Sequence, residues 1–162
     1  MYKKVDGVLN ENSSDNYFYD DEFIYVQELL NEFTETDWKD LAQNLKNRDD
    51  KYKIRLAYCI NEDNGVDGFN LLLGLLGESD EVFEYTIDSL RSFRNIEYKK
   101  ILKFDKDVLE KVERLIQKAS LPIKQMLENF LEQLEFYWKM GFYNKRGFDE
   151  ISMLEITIIS YI

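Results

Sequence analysis

A chain of 162 residues with 44% hydrophobic and 15% aromatic content has the length and apolar mass of one ordinary domain, which excludes disorder over most of its length. A net charge of −11 disfavours nucleic acid and anionic lipid as partners, and the absence of histidine removes the commonest acid–base residue and most zinc sites. One proline and seven glycines are too few turn residues for a many-stranded sandwich, so an all-α fold of roughly seven to nine helices is expected.

The charge is unevenly placed. Between Val5 and Trp38 stand ten carboxylates and no lysine or arginine, interleaved with Tyr17, Phe18, Tyr19, Phe23, Tyr25 and Phe33. A field concentrated at one end steers encounters with a basic partner. The single Cys59 lies in an apolar run and reads as a small buried hydrophobe. No signal-peptide core is evident, and no run approaches the ~20 apolar residues of a membrane span, so a soluble, cytoplasmic protein is expected.

In chain order, residues 1–16 are polar and rich in Asn and Ser, which predicts a loosely ordered arm. Phe23, Val26, Leu30 and Phe33 then recur at helical spacing, with Asp20, Asp21 and Glu22 placed to meet the positive end of a helix dipole. Thr34 or Thr36 caps a second helix with Trp38, Leu41, Ala42 and Leu45 inside. Asp49 or Asp50 opens a third, with Tyr52, Leu56, Cys59 and Ile60 inward, and residues 61–65 form a turn. A fourth helix over 66–76 buries Val66, Phe69, Leu72, Leu73 and Leu76, and Gly77 is its expected left-handed cap.

Ser79 caps a fifth helix with Val82, Phe83, Thr86, Leu90 and Phe93 inside. A short helix around Tyr98, Ile101 and Leu102 follows, with Lys99, Lys100, Lys103 and Lys106 read as a solvated face. Asp105 starts a helix burying Val108, Leu109, Val112, Leu115, Ile116 and Ala119. Ser120 and Pro122 open the longest helix, through Ile123, Leu127, Phe130, Leu134 and Tyr137, with Gly141 as its stop. Residues 148–162 fit a helical face, although Ile156, Thr157, Ile158 and Ile159 also suit a buried strand.

Residues 71–90 hold a leucine-rich helix, a short Asp-containing turn, and a second helix with Val82, Thr86 and Leu90 at four-residue steps. This stretch resembles a HEAT-type repeat. A weaker copy precedes it in Trp38, Leu41 and Leu45, the turn at 47–50, then Ile54, Ala57 and Tyr58. The usual turn proline is absent, and Phe83 stands where arginine is common. The resemblance implies a single domain over 1–162. Antiparallel hairpins over 37–94 would stack in a short HEAT-like array, with flanking helices, including those over 105–162, capping it.

By size, charge and architecture the chain also resembles immunity proteins of bacterial polymorphic and contact-dependent growth inhibition toxin systems. That resemblance implies an inhibitor that neutralises a cognate toxin in a tight complex, a basic nuclease being the chemistry its charge fits. The alternative is a HEAT-like scaffold or adaptor binding a peptide or protein subunit without inhibiting it. Monomer and homodimer are both open.

No glycine-rich phosphate loop, Cys-x-x-Cys pair or seryl nucleophile motif occurs, and no catalytic, cofactor or metal residues are assigned, so an enzyme is not expected. The candidate partner-binding residues fall on two surfaces. Asp15, Tyr17, Tyr19, Asp20, Asp21, Glu22 and Glu28 form an acidic and aromatic N-terminal surface able to engage the cations of a phosphate-binding site. Glu81, Glu84, Tyr85 and Asp88 are displaced from the buried stripe of the fifth helix, toward a groove in the HEAT reading, with Lys51 and Arg55 as their expected ion-pair partners.

Overall fold

The computed structural model describes residues 1–11 and 13–144, with side chains through residue 140, and among these every regular element is helical. Helix α1 (Tyr2–Asn10) stands where a loose arm is expected from composition. The correction has a simple cause: a surface helix needs only one apolar stripe, and Val5 and Leu9, one turn apart, are both buried. The α1 helix packs on α3, α4 and α5. On its polar side, Arg48 donates to Asp6 and Asn10, and the Tyr52 hydroxyl donates to Asp6 at 3.0 Å.

A short helix α2 (Asp15–Tyr17), capped by the Ser14 hydroxyl, continues through a π-type turn, Phe18–Glu22, into α3 (Phe23–Asn31). Asp20, Asp21 and Glu22 therefore sit within a helical path rather than at its positive end; Asp15 occupies that first turn. The wider turn places Phe18 in the core and Tyr19 half-buried, while Asp20 and Asp21 remain exposed. Helix α4 (Glu35–Leu45) begins with a reciprocal box in which Thr34 accepts from the Asp37 amide and Asp37 accepts from the Thr34 amide. Trp38, Leu41 and Leu45 are buried as expected, whereas Ala42 is exposed.

Asp49 caps α5 (Asp50–Cys59), which is buried almost throughout. A tight 3₁₀ turn, Glu62–Asn64, leads to Gly65 at φ 58°, a backbone region that favours glycine, and into α6 (Gly65–Leu75). Phe69, Leu72 and Leu76 are buried as expected and Leu73 is half-buried, but Leu71 and Leu75 are buried too and Val66 faces solvent, so the buried side is broader than expected and turned away from Val66. Gly77 forms no left-handed cap: α6 runs into Leu76 in right-handed geometry, and Gly65 has the only positive φ among the described residues.

Helix α7 (Asp80–Arg91) is capped by Ser79 and buries Val82, Phe83, Thr86, Ile87 and Leu90. The buried Thr86 hydroxyl is satisfied by donating to the Val82 carbonyl at 2.7 Å. Helices α8 (Ile96–Phe104), α9 (Lys106–Ile116) and α10 (Leu121–Asn144) complete the described chain. Helix α10 passes through Gly141, which is therefore no stop. The choice between helix and strand for 148–162 falls outside the described residues.

Helices α3, α5, α7 and α10 are successive neighbours, while α4 packs on α6 and α1, and α8 and α9 pack on α10. Two side-chain bonds tie α7 and the turn before it to α5: Ser89 donates to the Ala57 carbonyl, and Ser79 donates to Asp50, each at 2.6 Å. No helix of the described residues is long and apolar enough to cross a membrane.

Lys99, expected on a solvated face, is instead buried. Its ammonium donates to the Leu90 carbonyl at 3.0 Å, the Arg91 carbonyl at 3.3 Å and Gln133 Oε1 at 3.3 Å, joining the C-terminal end of α7 to α8 and α10. A lysine there fills otherwise unpaired acceptors at a helix end. Burial is the main reason its pKa is brought down to about 8, with Arg91 and Arg94 adding to the effect and Glu62 opposing it.

Two predictions follow from this packing. Leu9→Ala lowers unfolding free energy by about 2–5 kcal/mol in denaturant titration, the cost of truncating a core leucine; a change below about 0.5 kcal/mol would return α1 to the status of an arm. For Lys99, the unfolded chain holds a proton between pH about 8 and the ordinary lysine value, and the folded chain does not. Stability relative to Lys99→Met therefore rises with pH across that window. Parallel stability curves for the two proteins would contradict the burial of a charged ammonium.

Candidate functional site

Arg55 lies in the inward stripe of α5, between Tyr52 and Cys59, and is 1% exposed. A guanidinium cannot be buried without acceptors, and the N-terminal segment supplies them. Nη1 donates to the Glu11 carbonyl at 3.1 Å and Ser13 Oγ at 3.2 Å; Nη2 donates to the Ser13 carbonyl at 2.9 Å and Asp15 Oδ1 at 3.2 Å. Its carbon centre lies 4.4 Å from the centroid of the Phe18 ring. One residue of α5 thus grips the segment between α1 and α2 at four points and sets where α2 and the π-type turn lie.

Lys51, one turn earlier, donates to the Ser13 carbonyl at 3.2 Å and approaches Asp15 to 3.5 Å. Lys51 and Arg55 therefore pair with Asp15 rather than with the acids of α7, a correction to the expected partners. Asp15 is itself 68% exposed, and the hydrogen bond from Arg55 is the main reason its carboxyl is held below the ordinary carboxylate range. The Ser13 hydroxyl, in turn, donates to Glu22 at 2.8 Å.

Above this anchor the two expected surfaces meet. A cavity of about 250 Å³ is lined by Asp15 and Tyr19 from the α2 side, Asp50, Lys51 and Ile54 from α5, and Glu81 and Tyr85 from α7. Tyr19 packs edge-on against Tyr58 at 4.8 Å, and Tyr58 against Phe23 at 5.3 Å, so an aromatic row continues from the cavity along α3 and α5. Burial is the main cause of a Tyr19 pKa well above the ordinary phenol value, with Tyr85 and Asp15 beside it adding to the shift. Glu84, half-buried on α7, is shifted up mainly by burial and then by the neighbouring charges of Asp80 and Glu81.

The remaining residues of the two surfaces lie outside the lining of this cavity. Tyr17, Asp20, Asp21 and Glu28 are exposed and do not line it. Glu22 is turned to Ser13, and Asp88 is paired with Arg91 at 2.6 Å. Asp50, Ile54 and Tyr58 are participants that sequence reasoning did not place at the site, and Arg55, expected to pair with the acids of α7, is instead buried beneath it. Arg55 carried a legible signal: a charge inside an apolar stripe requires a buried acceptor, and the arginine-free acidic segment was the obvious source.

Two larger depressions lie elsewhere. One of about 430 Å³ is bordered by Trp38, Lys39 and Ala42 of α4 and Asp67, Asn70 and Leu71 of α6. The other, about 350 Å³, is lined by Gly77, Asp105 and Lys111 among others, and there Lys111 donates to the Leu76 and Glu78 carbonyls. Neither joins residues of both acidic surfaces. Among the described residues no group of three His, Cys, Asp or Glu side chains is placed to hold a metal ion. The chain matches no protein-family model, no curated protein and no solved structure.

The anchor makes a prediction with an internal control. Arg55→Met lowers unfolding free energy by about 3 kcal/mol, because buried carbonyl acceptors lose their donors. Asp15→Asn, at an exposed position, shifts the denaturation midpoint far less. Equal effects from both substitutions would show that the exposed ion pair, not the buried carbonyl contacts, carries the anchor.

Proposed function

We propose that this protein is an acidic inhibitor of another protein, an immunity protein that neutralises a cognate bacterial toxin by tight complex formation. A basic nuclease is the toxin chemistry that fits its charge. The observation carrying this reading is the convergence of Asp15, Tyr19, Glu81 and Tyr85 on one cavity, with exposed Asp20 and Asp21 on the same turn as Tyr19. Tyrosines supply rigid, amphipathic anchors at protein interfaces, and carboxylates around them give charge complementarity and fast association. No substrate is transformed in this reading, which implies a cytoplasmic inhibitor acting beside its toxin.

The packing of α4 on α6, of α5 on α7 and of α6 on α7 supports a HEAT-like stack over 37–94. It also supports the second reading, a scaffold that holds a peptide or subunit in the groove between α5 and α7 without inhibiting it. The two readings part on consequence. An immunity protein abolishes the toxicity of its partner when the two are co-expressed, whereas a scaffold leaves the activity of its partner intact.

The decisive experiment captures the partner from the native host and co-expresses it with this protein in a sensitive strain. Rescue of growth supports the inhibitor, and an unaffected partner activity overturns it. Neutralising Asp20, Asp21, Glu22 and Glu28 together slows association with that partner by about tenfold or more at low salt and flattens its ionic-strength dependence, since exposed charges act chiefly on the on-rate. An unchanged rate would remove the N-terminal acids from the interface.

A further inference from the structure

The cavity between α2, α5 and α7 is specific enough in shape and chemistry to name what it takes. We infer that it seats a single arginine side chain of the basic partner, an inference resting on the inhibitor reading above. At about 250 Å³ it falls below the ~300–1,000 Å³ of small-molecule and cofactor pockets and suits one long side chain. Its lining carries three carboxylates, Asp15, Asp50 and Glu81, against the one ammonium of Lys51. Arg55 beneath is committed to Glu11, Ser13 and Asp15, so it offers little to an incoming anion.

The carboxylates differ in how firmly they are held. Asp50 already accepts from Ser79, while Asp15 meets Lys51 across 3.5 Å with both side chains well exposed. An exposed pair of that kind contributes little to stability, so a better-placed cation displaces Lys51 at small cost. Glu81 is exposed at the α7 side, with no ion-pair partner among the described residues.

Arginine fits better than lysine for reasons of geometry and hydration. Tyr19 and Tyr85 border the cavity, and a planar guanidinium can stack on a tyrosine ring while its remaining N–H groups reach carboxylates. Asp15 from α2 and Glu81 from α7 border the cavity from opposite elements, as a forked donor requires. The ammonium of lysine is a more strongly hydrated point charge and stacks less well.

The test uses two probes on the full chain at low ionic strength, N-acetyl-arginine amide followed by NMR and a nona-arginine peptide followed by calorimetry. The inference expects saturable shifts of the Tyr19 and Tyr85 ring signals with the arginine amide and weaker ones with N-acetyl-lysine amide. It expects nona-arginine binding to weaken about tenfold in Glu81→Gln and in Tyr85→Ala, the scale of losing one anchored contact. Glu81→Gln, at an exposed position, decides the matter if Tyr85→Ala fails to fold.

If nona-arginine binding falls only when Asp20, Asp21 and Glu28 are neutralised, and both cavity variants bind normally, the inference is overturned while the acidic-inhibitor reading stands. Absence of any nona-arginine binding overturns both. Equal shifts with the lysine and arginine amides overturn the preference for a guanidinium.

Discussion

The structure turns on one buried guanidinium. Isolated, Arg55 would be among the costliest groups the core could hold, since removing a charge from water costs several kcal/mol even after relaxation. It is tolerated because the chain between α1 and α2 brings two carbonyls, a hydroxyl and a carboxylate to its terminal nitrogens, with the Phe18 ring against its face. Its Nε remains buried without a partner among the described residues. The segment is thereby held in one place, and α1, α2 and the π-type turn take their positions over α5 from that constraint.

The same constraint decides which N-terminal acids are neutralised and which are displayed. Asp6 is drawn to Arg48 and Tyr52, Asp15 to Arg55 and Lys51, and Asp37 to the α-amino group and the start of α4. Asp20, Asp21, Glu28, Glu32 and Glu35 stay exposed. Local acids therefore do two jobs, locking the segment and presenting a negative face, and the division between them follows from which ones lie within reach of the α-amino group, Arg48 and the basic residues of α5. Because α5 also packs on α7, Asp15 and Tyr19 come to lie near a second acidic helix face, and a cavity forms where the two approach.

Much of this was legible in periodicity. The fifth expected helix is the clearest case: Val82, Phe83, Thr86 and Leu90 follow the stripe, and each is fully buried. Where a segment is apolar on several sides, the stripe is ambiguous; α6 carries five leucine or phenylalanine residues nearly in succession, and packing buried Leu71 and Leu75 while leaving Val66 exposed. The short helix α1 was missed because its composition is polar although Val5 and Leu9 are spaced by one turn. Lys99 and Arg55 escaped for a common reason. Their burial depends on backbone carbonyls at a helix end or in a loop, and local hydropathy does not reveal which carbonyls a side chain will reach. The meeting of Asp15 and Tyr19 with Glu81 and Tyr85 likewise required knowing that α2 lies across α5 beside α7.

The central claim, that Arg55 holds the N-terminal segment and so builds the acidic face, is tested most directly by native-state hydrogen exchange on the wild type and Arg55→Met. The account predicts that amides of residues 13–22 lose protection in the variant while those of α7 and α10 keep theirs. Unchanged protection across 13–22 would show that the segment holds its place without the guanidinium, and the account would then fail at its foundation.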